Sequence, residues 1–221
     1  MPPQLQAPIT YLITSGETTP ATNEASAQFA RLLDVVRAAI AARVSLIQLR
    51  EKNLSAHTLY ELTARAARLT RGSATRLLVN DRADIARASG ADGVHLTTRS
   101  MDAGVVRRAF GDEFLIGVST HSLEEARAAR DGRADFATFG PIFETASKRA
   151  YGPPVGLARL SEAARSLAPF PILALGGVTS ENAAAVLRAG AHGIAAIRLF
   201  SDPLALEEIT NALRRSASTD L

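Results

Sequence analysis

The chain has 221 residues, with 25 Lys and Arg against 22 Asp and Glu, 47% hydrophobic residues and no cysteine. A globular composition of this kind excludes wholesale disorder, and the missing cysteines exclude disulfides, thiolate metal sites and a cysteine nucleophile. The net charge of +3 is mild and interspersed, so nucleic-acid binding has little compositional support, while a few Arg and Lys gathered at one site would suit a small anion. The stretch Leu167 to Ser180 is uncharged but short and broken by two Pro and two Gly, so no membrane span is expected. MPPQLQAP at the N-terminus lacks the basic and apolar regions of a secretory signal. The expectation is a cytoplasmic protein.

Apolar runs alternate with amphipathic stretches from end to end. Strands are predicted at Tyr11–Thr14, Val44–Arg50, Arg76–Asn80, Gly93–Leu96, Phe114–Val118, Phe136–Phe139, Pro171–Leu175 and Gly193–Ile197. Helical spacing is predicted at Ser26–Ala42, Ala56–Thr70, Ala83–Ser89, Asp102–Ala109, Leu123–Arg130, Leu157–Ser166, Ser180–Ala189 and Leu204–Arg214. Ser55, Ser122 and Ser180 are candidate N-caps, and Ser122-Leu-Glu-Glu125 has capping-box spacing. Gly90, Gly132 and Gly190 stand where a left-handed residue closes a helix. Three helix-to-strand turns, beginning at Ser89, Gly132 and Ala189, echo one another as a reused unit. The tail Ser216–Leu221 is expected to fray.

Strands that are apolar throughout, rather than alternating, belong to a parallel sheet covered on both faces. Eight strand–helix units in about 220 residues predict an α/β fold, a single (β/α)8 TIM barrel over the whole chain. An open doubly wound sheet is the alternative, but no G-x-G-x-x-G follows the first strand. Catalytic groups of such barrels sit at the C-terminal strand ends. Those positions here hold Gln48, Arg50 and Lys52, then Asn80 and Asp81, His95, Ser119 and His121, Thr145, Ser147, Lys148 and Arg149, Gly176 and Gly177, and Ile197 and Arg198. Cations and hydroxyls dominate, and Asp81 stands nearly alone as an acid. That set suits phosphate groups, with one carboxylate to hold Mg²⁺ against them. Gly176-Gly177 and the backbone after the last strand fit a second anion pocket. A tight turn at Gly176-Gly177, solvated charges at Arg50 and Lys52, and a satisfied core histidine at His95 are the plainer readings. Asp92 and Asp135 read as structural, and His57 and His192 as surface or turn residues.

Several segments together, spanning about residues 9–215, resemble the thiamine phosphate synthase family. They are Tyr11-Leu-Ile-Thr14, Gln48-Leu-Arg-Glu-Lys52, Val79-Asn-Asp-Arg82, Asp92-Gly-Val-His-Leu96, Ile116-Gly-Val-Ser-Thr-His-Ser122, Phe139-Gly-Pro-Ile-Phe-Glu-Thr145 with Ser147-Lys148, Ala174-Leu-Gly-Gly-Val178 with Asn182, and Ala189-Gly-Ala-His-Gly-Ile194. The resemblance implies a transferase of thiamine biosynthesis that joins hydroxymethylpyrimidine diphosphate to a thiazole phosphate and releases pyrophosphate. It implies Gln48 and His95 at the pyrimidine. Arg50, Lys52, Asn80, Ser119 and Lys148 would grip the diphosphate, with Lys148, Ser119 and Arg50 catalytic. Asp81 would bind Mg²⁺. Thr145, Ser147, Gly176 and Ile197 would surround the thiazole phosphate, with Arg198 as an added clamp or an obstruction.

Three positions depart from the family pattern. Ser100 stands where an Asp, a second Mg²⁺ ligand, is usual, with Asp102 two residues on. Arg198 replaces a small or hydroxyl residue, and Ser15 replaces a frequent Asp. The related TenI branch, thiazole tautomerases, is the alternative function, and His121 matches its catalytic histidine. A non-catalytic phosphate-ligand sensor is the third reading. The synthase is favoured by Gln48–Lys52, Asn80-Asp81 and Lys148. The expected partners are phosphorylated small molecules, without nucleic acid or membrane; the sequence leaves a homo-oligomer open.

Overall fold

The computed structural model describes residues 5–145 and 153–218. Eight parallel strands close into a barrel in chain order. They are β1 (Ile9–Ile13), β2 (Leu46–Leu49), β3 (Arg76–Asn80), β4 (Gly93–Leu96), β5 (Leu115–Thr120), β6 (Phe136–Phe139), β7 (Ile172–Leu175) and β8 (Gly193–Ala196). Helices follow them: α1 (Ala27–Ala41), α2 (Ala56–Thr70), α3 (Ala83–Ser89), α4 (Ala103–Phe110), α5 (Leu123–Asp131), α6 (Gly156–Leu167), α7 (Ala183–Arg188) and α8 (Leu206–Ser218). The barrel, not the open sheet, is the fold.

Two apolar layers explain the continuous strand runs. Ile9, Tyr11, Ile13, Leu46, Leu78, Phe136, Leu173 and Ala195 pack together and fill the barrel interior. Their neighbours of opposite parity, such as Leu12, Ile47, Leu77, Val94, Ile116, Ala137, Ile172 and Ile194, pack among the helices. Each strand therefore buries both faces. Gly117 belongs to the inner set. A Cβ there would stand 2.4 Å from Phe136 Cζ and 2.7 Å from His95 Nδ1, so the missing side chain makes room for those two rings.

Ser55 and Ser122 cap α2 and α5 by accepting from the Thr58 and Glu125 amides, each at 3.1 Å. The Glu125 carboxylate returns to the His121 amide at 2.6 Å, one residue earlier than a standard capping box. Two expectations need correction. Ser180 caps nothing, because α7 begins at Ala183. Asn182 instead closes the preceding turn, accepting from Thr179 N at 2.9 Å and donating to Gly177 O at 3.0 Å. Gly132 is not left-handed (φ −74°). Arg133 takes the positive φ of 62°, and its carbonyl accepts from Arg107 Nε and Nη2. Gly90 and Gly190 do adopt positive φ. Helix α8 runs through Ser218; residues 219–221 lie outside the described set. None of the described helices is long and apolar enough to cross a membrane.

Candidate active site

Because all eight strands run parallel, the residues at their C-terminal ends share one rim. Gln48 nears the end of β2 beside Leu78, Asn80 ends β3 beside His95, and Ser119 nears the end of β5 beside Thr138. Arg50 and Lys52 follow β2, Asp81 follows β3, His121 follows β5, Thr145 follows β6, Gly176 follows β7, and Ile197 and Arg198 follow β8. The cations and amides dispersed through the sequence are thus gathered at one mouth. Ser147 and Lys148 lie outside the described residues.

A hydrogen-bonded chain crosses the barrel just below the rim. Gln48 Nε2 donates to Tyr11 Oη at 2.8 Å, Tyr11 Oη meets His95 Nδ1 at 3.1 Å, and His95 Nε2 meets Ser119 Oγ at 2.9 Å. Tyr11 is fully buried and His95 is 2% exposed. Burial pushes the Tyr11 phenol up and lowers the His95 imidazole to about 3. Both rings are therefore neutral at physiological pH. With its two nitrogens engaged, His95 reaches the mouth through Ser119, as the core histidine among the sequence readings.

This burial sets a pH dependence. Below about pH 6.5 the unfolded chain protonates His95, whereas the folded protein does so only near 3. The unfolded state then binds more protons, so stability falls as pH falls through that window, by up to ~1.4 kcal/mol per unit. Urea unfolding between pH 7 and about 4 is expected to show this slope, and His95→Gln to flatten it.

Glu51 went unremarked in the sequence yet organises the rim. It is 3% exposed and accepts from Thr14 Oγ1 at 2.5 Å, Thr18 Oγ1 at 2.7 Å, and the Gly16 and Thr18 amides at 3.3 and 3.4 Å. Thr14 Oγ1 also accepts from the Arg50 amide at 2.9 Å. The β1–α1 loop is thereby clamped to the segment carrying Arg50. Arg50 itself is half-buried and forms no salt bridge among the described residues.

Asp81 adopts a positive φ of 60° and its Oδ1 accepts from Ser100 Oγ. Ser100 Oγ in turn accepts from the Thr97 amide at 2.7 Å. Asp102 is committed to α4, its Oδ1 accepting from Gly104 N at 2.7 Å. The β4–α4 loop thus gives Asp81 a hydroxyl neighbour, and no group of three or more His, Asp or Glu that could hold a metal occurs among the described residues. One rim carboxylate fits a Mg²⁺ that takes its other oxygens from phosphates and water; it does not fit an ion caged by protein.

On the opposite arc Arg198 Nη2 donates to Thr145 Oγ1 at 3.0 Å, tying the loops after β6 and β8. Gly176 and Gly177 have φ of 98° and 68°. A cavity of about 250 Å³ lies on the β1–β8 side, with Thr14, Ser15, Arg31, Ile197 and Ser201 in its wall. His121 Nδ1 donates to the Gly140 carbonyl, since a carbonyl can only accept. The structural readings of Asp92 and Asp135 hold: each caps a neighbouring strand amide, Leu77 N at 2.8 Å and Ile116 N at 2.6 Å.

A family model described as thiamine monophosphate synthase matches residues 11–200. The chain belongs to the thiamine monophosphate synthase family. A relative from Geobacter sulfurreducens is 49% identical over 173 residues, covering 78% of this chain and 81% of its own. The thiamine-phosphate synthase of Roseiflexus castenholzii is 43% identical over 82% of this chain and 79% of its own. Among solved structures, the thiamine phosphate pyrophosphorylase of Pyrococcus furiosus superposes with a TM-score of 0.79 at 30% identity, covering 94% and 96% of the two chains. The family match spans the C-terminal ends of all eight strands.

One rim residue remains without a role. Thr138 Oγ1, across the register from Ser119, is buried and has no hydrogen-bond partner among the described residues. Thr138→Val replaces an unsatisfied hydroxyl by a methyl of similar shape. Thermal unfolding is expected to show no loss, and a gain of up to about 1 kcal/mol.

Proposed function

We propose that this protein is a thiamine phosphate synthase, a transferase that joins hydroxymethylpyrimidine diphosphate to a thiazole phosphate and releases pyrophosphate. The observation that carries the reading is the convergence of Arg50, Asn80, Asp81 and Ser119 on one barrel rim, in a chain whose family model runs from residue 11 to 200. As the pyrimidine C–O bond breaks, its electron pair leaves with the diphosphate. The thiazole nitrogen supplies the pair for the new C–N bond, so no protein nucleophile is needed. Arg50 and Lys52 offset the charge that builds on the departing group, and Ser119 and Asn80 orient it. Lys148 takes the same task by resemblance. Gln48, through its amide, faces the pyrimidine. Thr145, Ser147, Gly176, Ile197 and Arg198 hold the second substrate, whose prealignment removes much of the entropic barrier of a two-substrate reaction. His121 borders the same arc.

Asp81 would hold Mg²⁺, which supplies charge neutralisation at the diphosphate when bound. The setting is the cytoplasm, where both phosphorylated substrates are retained.

Incubation with both substrates and Mg²⁺ is expected to yield thiamine phosphate and one equivalent of pyrophosphate. Isomerisation of a thiazole carboxylate with no coupling would establish the tautomerase reading instead. Binding of phosphorylated ligands without any turnover would leave the sensor.

A further inference from the structure

The neutral chain below the rim has a definite polarity. The Gln48 amide nitrogen can only donate, so Tyr11 Oη accepts from it. Tyr11 is fully buried, and among the described residues His95 Nδ1 is the remaining group within reach of its single hydroxyl proton. Were Nδ1 protonated, two donors would converge on the phenol oxygen and its own proton would be buried without an acceptor, a costly arrangement. Tyr11 therefore donates to Nδ1, and the imidazole proton resides on Nε2. That proton is given to Ser119 Oγ.

We propose that Tyr11 and His95 are positioning residues that fix the direction of the Ser119 hydroxyl, making it a donor aimed at the anion in the mouth. Ser119 is half-buried at the rim. With its oxygen accepting from His95, its proton is directed away from the barrel interior, where the departing group's oxygens gather under the function proposed above. A serine without this constraint could equally donate inward to a histidine nitrogen and present only lone pairs to the anion. The imidazole is buried, with both of its nitrogens engaged, so the relay holds its polarity without carrying a proton through the reaction. Gly117 is part of the same device, since any side chain there would collide with the His95 and Phe136 rings.

Two measurements on the full chain test this. In the first, the histidine nitrogens are labelled and their NMR shifts recorded, with His95 assigned by loss of its signals in His95→Gln. The expected result is a neutral ring protonated on Nε2 across about pH 5 to 8, and a mixed tautomer in Tyr11→Phe. Protonation on Nδ1, or a charged ring, would overturn the proposal. In the second, inorganic pyrophosphate is titrated calorimetrically in the presence of Mg²⁺. Ser119→Ala and His95→Leu are each expected to weaken binding roughly 10-fold, the scale of one hydrogen bond to a charged group. His95→Gln, whose amide nitrogen can stand in for Nε2, is expected to stay within about threefold of the parent. Equal losses for the Leu and Gln variants, both folded by circular dichroism, would overturn the relay. Because it rests on the synthase reading only for the identity of the anion, absence of pyrophosphate binding by the parent would instead count against that reading, and the nitrogen spectra would then decide the polarity alone.

Discussion

Arg50→Ala is expected to lower kcat/KM for thiamine phosphate formation on the order of 10²- to 10³-fold, the usual loss when one preorganised electrostatic partner of a transition state is removed. The reason lies in how the residue is held. Its amide is bonded to Thr14, its neighbour Glu51 is sealed by four donors, and Gly16 lies against it, a Cβ there falling 3.3 Å from Nη1. Under the proposed function, a guanidinium on a segment anchored through its backbone, with no salt bridge of its own among the described residues, directs its charge at the ligand. Arg50→Lys is expected to recover only part of the loss, because an ammonium lacks the planar fork that binds two phosphate oxygens at once. Steady-state kinetics with a folded variant check this; an unaltered kcat/KM would remove Arg50 from the reaction.

Arg107→Ala is expected to destabilise the fold by about 3–5 kcal/mol without altering the turnover of molecules that remain folded. Arg107 is 5% exposed. Its guanidinium donates to the Gly111, Phe114 and Arg133 carbonyls at 2.7–3.1 Å and to Asp135 at 2.8 Å. Deleting it leaves three carbonyls without this donor and removes the counter-charge of the largely buried Asp135 carboxylate, whose pKa burial already raises. These groups lie before β5 and β6, at the barrel end opposite the mouth. For a chain of this size the loss corresponds to a fall in Tm on the order of 10 °C. Thermal unfolding with activity measured well below the transition separates the two effects.

The barrel was legible because every strand announces itself as an apolar run and every helix as a spaced one; boundaries moved by only a few residues. The rim was legible for a topological reason: parallel strands force all C-terminal ends to one side, so listing strand-end residues lists the mouth. What escaped were roles created by contacts between distant segments. Tyr11 reads as an ordinary strand aromatic until Gln48 and His95 close around its hydroxyl. Glu51 reads as one charge in a charged loop until Thr14 and Thr18, 37 and 33 residues earlier, surround it. Local turn chemistry also misled at Gly132, where the neighbouring Arg133 accepts a strained backbone angle while its carbonyl serves Arg107. Propensity describes what a residue prefers alone, and such partners lie outside any local window.

Glu51 also limits how the scaffold can be re-engineered. Because one carboxylate stitches together two crossovers, a graft of the segment following the first strand into another barrel would arrive with its hydroxyls and amides unpaired. Loop transplantation here must move Thr14 through Thr18 together with Glu51, as one inherited module.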